Sequence, residues 1–118
     1  MEDRLGIAKV GDRTSIIAAA TPTLLYPVTP GRTAKIKKII AYNGQAADVV
    51  LEIGDGAAAA FVRRCPRIRL ITGFHTTIPV DELPEHEFAP ANDIYGQASA
   101  AGAAPLDVEV KVEVEEYE

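Results

Sequence analysis

The chain of 118 residues carries 12 basic against 17 acidic side chains, a formal net charge of −5, and is 47% hydrophobic but only 6% aromatic, with no tryptophan. At this size folding hides roughly 65–70% of the unfolded chain's surface, enough for one core but not for a deep catalytic cavity with its supporting shell, so a single domain over 1–118 and a non-enzymatic role are expected. The acidic balance withholds the overall positive field that nucleic acid attracts, and no apolar run approaches the roughly 20 residues that span a bilayer.

Glu2 and Asp3 stand where a secretory signal carries base, and no apolar stretch follows them. Cys65 is the single cysteine, so no internal disulfide can form. Synthesis in the cytoplasm without export is the expectation. Nineteen alanines favour helix by propensity, yet they cluster at 18–20, 57–60 and 98–104 between Gly and Pro. No stretch of a dozen residues carries an i, i+3, i+4, i+7 apolar stripe, and alternation with a period of two is the stronger signal.

In chain order, residues 5–10, 15–19 and 23–28 read as strands, separated by Gly11-Asp12 and closed by Thr29-Pro30-Gly31. Residues 33–42 are apolar at Ile36, Ile39, Ile40 and Tyr42, with Lys37-Lys38 interrupting the alternation. A bulge at the lysine pair returns both Ile36 and Ile39 to the core face. After Asn43-Gly44, residues 48–53 place Val49, Leu51 and Ile53 on one face and end at Gly54-Asp55-Gly56, which is turn chemistry. Residues 67–71 set Ile68 and Leu70 against Arg67 and Arg69. Beyond Thr72-Gly73, residues 76–80 offer Ile78 and Val80. Pro84 and Pro90-Ala91-Asn92-Asp93 precede residues 93–99, which offer Ile94, Gly96 and Ala98. The clearest strand is 106–115, where Leu106, Val108, Val110, Val112 and Val114 alternate with Asp107, Glu109, Lys111, Glu113 and Glu115. Turn signals recur about every 8–14 residues, the spacing of an all-β sandwich or barrel. The expected fold is all-β: a two-sheet antiparallel β-sandwich of jelly-roll type, with about eight strands, no helix, and fraying tails at 1–4 and 115–118.

Residues 26–43, from Tyr26-Pro27-Val28-Thr29-Pro30-Gly31 through Ala34, Ile36 and Ile39 to Asn43, resemble a stretch of small β-sandwich proteins from tailed-phage and prophage virion gene sets. Residues 89–99, followed by 100–104 and the valine strand, are similar to the closing segment of the same proteins. Together the two segments cover about half the chain, and their motifs belong to sandwich turns rather than to a chemical site. The resemblance implies a virion accessory component, such as a capsid decoration or a head and tail structural protein, commonly homo-oligomeric, made in the host cytoplasm and docked on capsid or tail proteins.

Chemistry-bearing residues are few. His75, Asp81, Glu82, Glu85, His86 and Glu87 fall within thirteen positions, and His75, His86 and Glu82 are the alternative metal ligands of a small cupin-like enzyme. The spacing matches neither a His-x-His pair nor a His-Glu-x-x-His helix, so no metal and no cofactor are expected. Asp81, Glu82 and Glu85 could supply paired carboxylates for glycoside hydrolysis, but no aromatic sugar platform accompanies them. A carbohydrate-binding module is the other alternative. Against it, Tyr26, Tyr42, Phe61, Phe74, Phe88 and Tyr95 suit core or seam positions. Cys65 lies among Arg63, Arg64 and Arg67, neighbours that would activate an exposed thiol, although a semi-buried strand-end cysteine is the simpler reading.

Four of the basic residues, Arg63, Arg64, Arg67 and Arg69, occur within seven positions. Arginine forks suit carboxylates, so these can face Glu109, Glu113 or Glu115 of a neighbouring copy, or an acidic capsid surface. The small residues 57–60, Ala58 among them, precede Phe61 and offer a flat, weakly polar patch that symmetric association would bury. The expected interface is therefore Arg63, Arg64, Arg67, Arg69, Ala58, Phe61, Glu113 and Glu115, in a homotrimer or another cyclic oligomer. The expected function is a virion-type structural or decoration protein that self-associates and docks on a larger assembly, without nucleic acid or membrane.

Overall fold

Ten strands follow one another along the chain: β1 (Ile7–Val10), β2 (Thr14–Ile16), β3 (Thr23–Tyr26), β4 (Thr33–Asn43), β5 (Val49–Asp55), β6 (Val62–Arg63), β7 (Ile68–Leu70), β8 (His75–Pro79), β9 (Ile94–Ala98) and β10 (Val108–Tyr117). A computed structural model describes residues 6–16, 21–79, 87–89, 93–98 and 107–118, and the counts given below refer to these described residues. A 3-10 turn, Ala58–Ala60, is the one helical element among them and takes up part of the alanine cluster.

The first sheet runs β1-β10-β4-β8, with β2 also paired to β10. The second runs β3-β9-β5, with β6 and β7 both paired to β5. Every pairing is antiparallel. The pairs nest: the β1 and β2 segments with β10, β3 with β9, β4 with β8, and β5 with β6 and β7. This is one long hairpin wrapped into two facing sheets, the connectivity of a jelly roll. Ten strand segments stand where about eight were expected: β1 and β2 match the separate strands read at 5–10 and 15–19, and β6 is an additional short segment ahead of the strand expected at 67–71.

Alternation sorts the two faces as the sequence indicates. Val108, Val110, Val112 and Val114 of β10 are buried, and Val49, Leu51 and Ile53 of β5, Ile68 and Leu70 of β7 and Ile94 and Ala98 of β9 face them across the sandwich. Each such side chain removed from water contributes about 1.5–3 kcal/mol, which is what holds a chain of this size folded. Phe88 is the largest fully buried side chain among the described residues, and its backbone is fixed to Ala34 by reciprocal hydrogen bonds of 2.8 and 2.9 Å.

The lysine pair in β4 does mark a bulge. Lys38 lies opposite Glu113 and Ile36 opposite Val114, leaving Lys37 as the extra residue. Ile36 and Ile39, three positions apart, consequently share the buried face, while Ile40 turns outward and is half-buried. The expectation of a frayed tail at 115–118 is overturned: β10 continues through Tyr117, and Glu116 is buried because the period of two carries it inward after Val114.

Two glycines are required by geometry. In the β3–β4 turn the Arg32 amide donates to the Thr29 carbonyl over 3.1 Å, with Pro30 and Gly31 at its centre and Gly31 at φ 82°, the left-handed value that position demands. In β5 a Cβ on Gly54 would run into the Val62 carbonyl, so β6 can approach β5 there only because no side chain intervenes.

The bulge yields a direct test. Ile36→Ala and Ile39→Ala should each destabilise the protein by about 2–5 kcal/mol in urea unfolding, whereas Ile40→Ala should cost roughly 1 kcal/mol or less. A regular strand would instead group Ile36 with Ile40 and make those two variants alike.

Candidate interaction surfaces

The polar residue most deeply buried in β10 is Glu116, with no exposed surface. The Tyr26 hydroxyl donates to its carboxylate over 2.7 Å, the Thr29 amide over 2.9 Å, the Thr29 hydroxyl over 2.8 Å and Arg32 Nη1 over 3.3 Å. Tyr26 belongs to the second sheet and Glu116 to the first, so this cluster pins the two sheets together at the β3–β4 turn. Burial opposes ionisation of Glu116, but the Thr29 amide, then the Tyr26 and Thr29 hydroxyls and Arg32, outweigh it and hold the carboxyl below its ordinary value of 4.5. Burial, then the hydrogen bond to Glu116 and its negative charge, push the Tyr26 phenol up to about 12. The next link in the turn is Asp93, which accepts from the Val28 amide over 2.8 Å.

A second polar cluster centres on Asn43, also fully buried. Its amide donates to the Ala47 and Leu70 carbonyls over 3.0 and 2.9 Å, and its oxygen accepts from the Gln45 amide over 2.8 Å. The Gly73 amide returns to the Asn43 carbonyl over 2.7 Å, and the Thr72 hydroxyl donates to the Gln45 carbonyl. The turn at residues 71–74 is thereby locked to the β4–β5 loop. Sequence reading took Asn43-Gly44 for a turn signal only; its role as an interior clamp shows once β7 is placed beside it.

The arginine run lies along β6, β7 and the link between them, and its charges are paired within the chain. Arg64 reaches Asp55 at 3.1 Å, Arg67 and Arg63 reach Glu52 at 3.0 and 3.8 Å, and Arg69 reaches Asp48 at 2.7 Å. The hydrogen bond from Gln97, ahead of the opposing effect of burial, and the one from Arg67 hold Glu52 below its ordinary range, as the Thr72 amide and Arg69 do for Asp48. The carboxylates that these arginines meet are those of β5 and its approach, and Glu109, Glu113 and Glu115 lie on the other sheet. There, Glu115 pairs with Lys37 at 3.3 Å and Glu113 stands opposite Lys38 in register. Phe61 is half-buried and Ala58 lies in the 3-10 turn.

His75 stacks on Tyr42, ring centroids 4.7 Å apart, beside Arg13, which pairs with Glu109 at 3.5 Å. These side chains and Lys111 line a shallow groove of about 120 Å³ on the outer face of the first sheet. His86 and Glu82, the other alternative metal ligands, and Asp81 and Glu85 lie outside the described residues, among which no group of three potential ligands converges. Cys65 is buried, and burial pushes its thiol up to about 11, with Arg63 pulling weakly the other way. The activated-thiol reading therefore gives way to the structural one. Among the aromatic residues assigned to core or seam, Tyr26 and Phe88 are buried, but Phe74 is 64% exposed.

The exposed large apolar side chains among the described residues fall into two groups. Ile7 and Val10 on β1 and Leu24 on β3 form one; Val62 on β6 and Ile71 and Phe74 beside the β7–β8 turn form the other. The strand orders put β1 and β3 on one edge of the sandwich and β6, β7 and β8 on the opposite edge. Between β1 and β3 lies an open groove of about 370 Å³, lined by Val10, Asp12, Thr14, Leu24, Leu25 and Tyr26 among others. Lys9 on β1 is exposed, so the open edge carries a charge, a feature that discourages direct strand addition.

No family model matches this chain, and no curated protein matches it. Among solved structures it is similar to a chain of Bacillus endospore appendages, described as disulfide-linked pili, at 12% identity and a TM-score of 0.52, over 98% of this chain and 90% of that one. A chain from the structure of infectious bursal disease virus Gt strain aligns at 12% identity and a TM-score of 0.30, over 98% of this chain and 30% of that one. The first shares the fold; the second is too distant to bear on it. Among the described residues no helix is long and apolar enough to cross a membrane.

The Glu116 cluster predicts two limbs of pH dependence. A carboxyl whose folded value lies below its unfolded one stabilises fully above the unfolded value and loses that contribution as pH falls through the folded value, so the stability gap between the wild type and Glu116→Gln should be full above the ordinary value of 4.5 and close as pH falls below it. The raised phenol acts at the other end: its contribution is complete below pH 10.0 and is lost as pH rises through about 12. Tyr26→Phe should cost about 1.5–3 kcal/mol at neutral pH and remove that alkaline limb. For Cys65, a thiol reagent at about pH 8 should leave the folded protein unlabelled and react only on unfolding.

Proposed function

We propose that this chain is a non-enzymatic structural subunit that associates with copies of itself in a larger assembly, of the virion accessory kind that residues 26–43 and 89–99 resemble. The observation that carries this reading is the division of exposed apolar surface between two opposite edges, Ile7, Val10 and Leu24 against Val62, Ile71 and Phe74. On the sheet faces, by contrast, charges meet partners within the chain, as Lys37 does with Glu115 and Arg67 with Glu52. Apolar surface at the edges favours side-by-side association, because burying it is worth about 25 cal/mol per Å².

The fold shared with an endospore appendage chain supports the reading, since that protein is described as a pilus. Its disulfide linkage does not carry over: Cys65 is buried and its thiol is held protonated. The arginines come to this reading as a polar rim beside Val62, Ile71 and Phe74 rather than as bare charges seeking the carboxylates of another copy. Docking on capsid or tail proteins, and closure into a trimer or other ring, belong to the same proposal. For the ligand-binding alternative, the groove beside Tyr42 and His75 is well below the roughly 300–1,000 Å³ of small-molecule sites, and the open groove between β1 and β3, about 370 Å³, lies at the low end of that range.

Light scattering on the full chain provides the test. The native mass should rise above that of one chain between about 1 and about 100 μM, by mass action. Raising NaCl to about 1 M should leave the association intact or strengthen it, because apolar burial is not screened. Dissociation in salt would transfer the interface to the arginines and acids, and a single-chain mass at every concentration would remove the structural reading.

A further inference from the structure

An asparagine followed by glycine can be attacked by its own backbone, because glycine sets no side chain in the way and turns freely, and Asn43-Gly44 is such a pair. The Gly44 nitrogen bonds to Cγ of Asn43, the Cγ–Nδ2 bond breaks, and the Gly44 amide proton leaves with the side-chain amino group as ammonia. The product is a cyclic succinimide. Water then opens the ring at either carbonyl, giving aspartate or, with the backbone rerouted through the side chain, isoaspartate.

In the folded protein each reacting group is held elsewhere. The nucleophile, the Gly44 amide, donates to the Asp107 carbonyl over 2.7 Å. The leaving group, Nδ2 of Asn43, donates to the Ala47 and Leu70 carbonyls over 3.0 and 2.9 Å, and Oδ1 accepts from the Gln45 amide over 2.8 Å, so the side-chain torsions that ring closure must turn are fixed. Asn43 is the last residue of β4, opposite Val108 of β10, and its extended backbone directs the Gly44 nitrogen along the strand and away from Cγ. The side chain has no exposed surface, which keeps from it the water that hydrolysis consumes. From the other side, the Gly73 amide donates to the Asn43 carbonyl over 2.7 Å and the Thr72 hydroxyl to the Gln45 carbonyl.

We infer that Asn43-Gly44 is a deamidation site that the fold holds closed, and that its reaction in the unfolded chain makes unfolding irreversible. The folded protein reacts only through openings that release the β4–β5 loop from the 71–74 turn, so its rate is that of the unfolded chain scaled by the open population. Neither product rebuilds the clamp. Aspartate sets a carboxylate oxygen where Nδ2 donated to two carbonyls, which leaves both acceptors unpaired and a negative charge without solvent. Isoaspartate adds a methylene to the backbone between β4 and Gly44, and so shifts the Gly44 amide from the Asp107 carbonyl. The reaction is confined to one chain and is independent of its association with others.

Peptide mapping by mass spectrometry tests the inference on the wild-type chain. The protein is held at mildly alkaline pH, folded in buffer or unfolded in guanidinium chloride, and trypsin then releases residues 39–63, in which Asn43 is the one asparagine. Deamidation, read as the exchange of an amino group for a hydroxyl in the mass of that peptide, should be at least about 100-fold slower in the folded sample. When the aged unfolded sample is diluted, the native fraction should contain only chains that retain Asn43, with aspartate and isoaspartate collected in the remainder. Protein kept unfolded for the same time at mildly acidic pH, where the Gly44 amide keeps its proton, should refold as freshly unfolded protein does. Similar deamidation rates in the folded and unfolded samples would overturn the inference. So would modified chains recovered in the native fraction in the same proportion as unmodified ones, or a loss of refolding that is equal at the two pH values.

Discussion

A carboxylate with no access to water is costly unless donors surround it, and the Glu116 side chain of β10 meets that condition with groups from three different residues. The rest of the architecture depends on this arrangement. β10 is the central strand of the first sheet, paired to β1 and β2 on one side and to β4 on the other, and its position relative to the second sheet is fixed where Tyr26 donates across the sandwich. The same carboxylate orders Thr29 and Arg32, and so the turn at Pro30-Gly31 through which β3 passes into β4. From that turn β4 runs eleven residues, takes up one extra residue at Lys37, and ends at the second buried clamp, Asn43. Polar anchors at the two ends of β4 and aliphatic packing between them define the register of the first sheet.

Much of this was legible in the residues. Strict alternation revealed β10, alternation broken by two lysines revealed β4 and its bulge, and Gly and Pro at regular intervals marked the many short strands of an all-β sandwich or barrel. What escaped the reading did so for identifiable physical reasons. Glu116 falls in a run of acids, Glu115-Glu116 and Glu118, whose composition suggests a solvated tail; only the period of two, extended one step past Val114, places it inside. Its donors Tyr26 and Arg32 lie more than eighty residues away in sequence. β6 is two residues long and exposed, so it has no alternation to detect.

The surface shows the same division between local and distant information. Clustering of Arg63, Arg64, Arg67 and Arg69 was plain, but their partners Asp48, Glu52 and Asp55 precede them on a different strand, and pairing across β5 and its neighbours converts an apparent patch into a compensated face. Conversely, nothing in the sequence marks Phe74 as exposed, because a lone aromatic beside Gly73 is equally compatible with a seam. Its exposure follows from the lock between residues 71–74 and the β4–β5 loop, which holds the turn outside the core. The resulting molecule has charge-compensated faces and apolar edges, and the proposed subunit role follows from that contrast, whereas the fold shared with an appendage chain supports it only by analogy.

The most direct measurement is amide hydrogen exchange on the same protein at low and high concentration. If the edges are where copies meet, amides at residues 10–12, 23–25 and 71–74 will exchange more slowly in the concentrated sample, while those of the central strands β4 and β10, already protected by the sheet, will not change. Exchange that is independent of concentration at both edges, or new protection confined to the charged outer faces, would contradict the account.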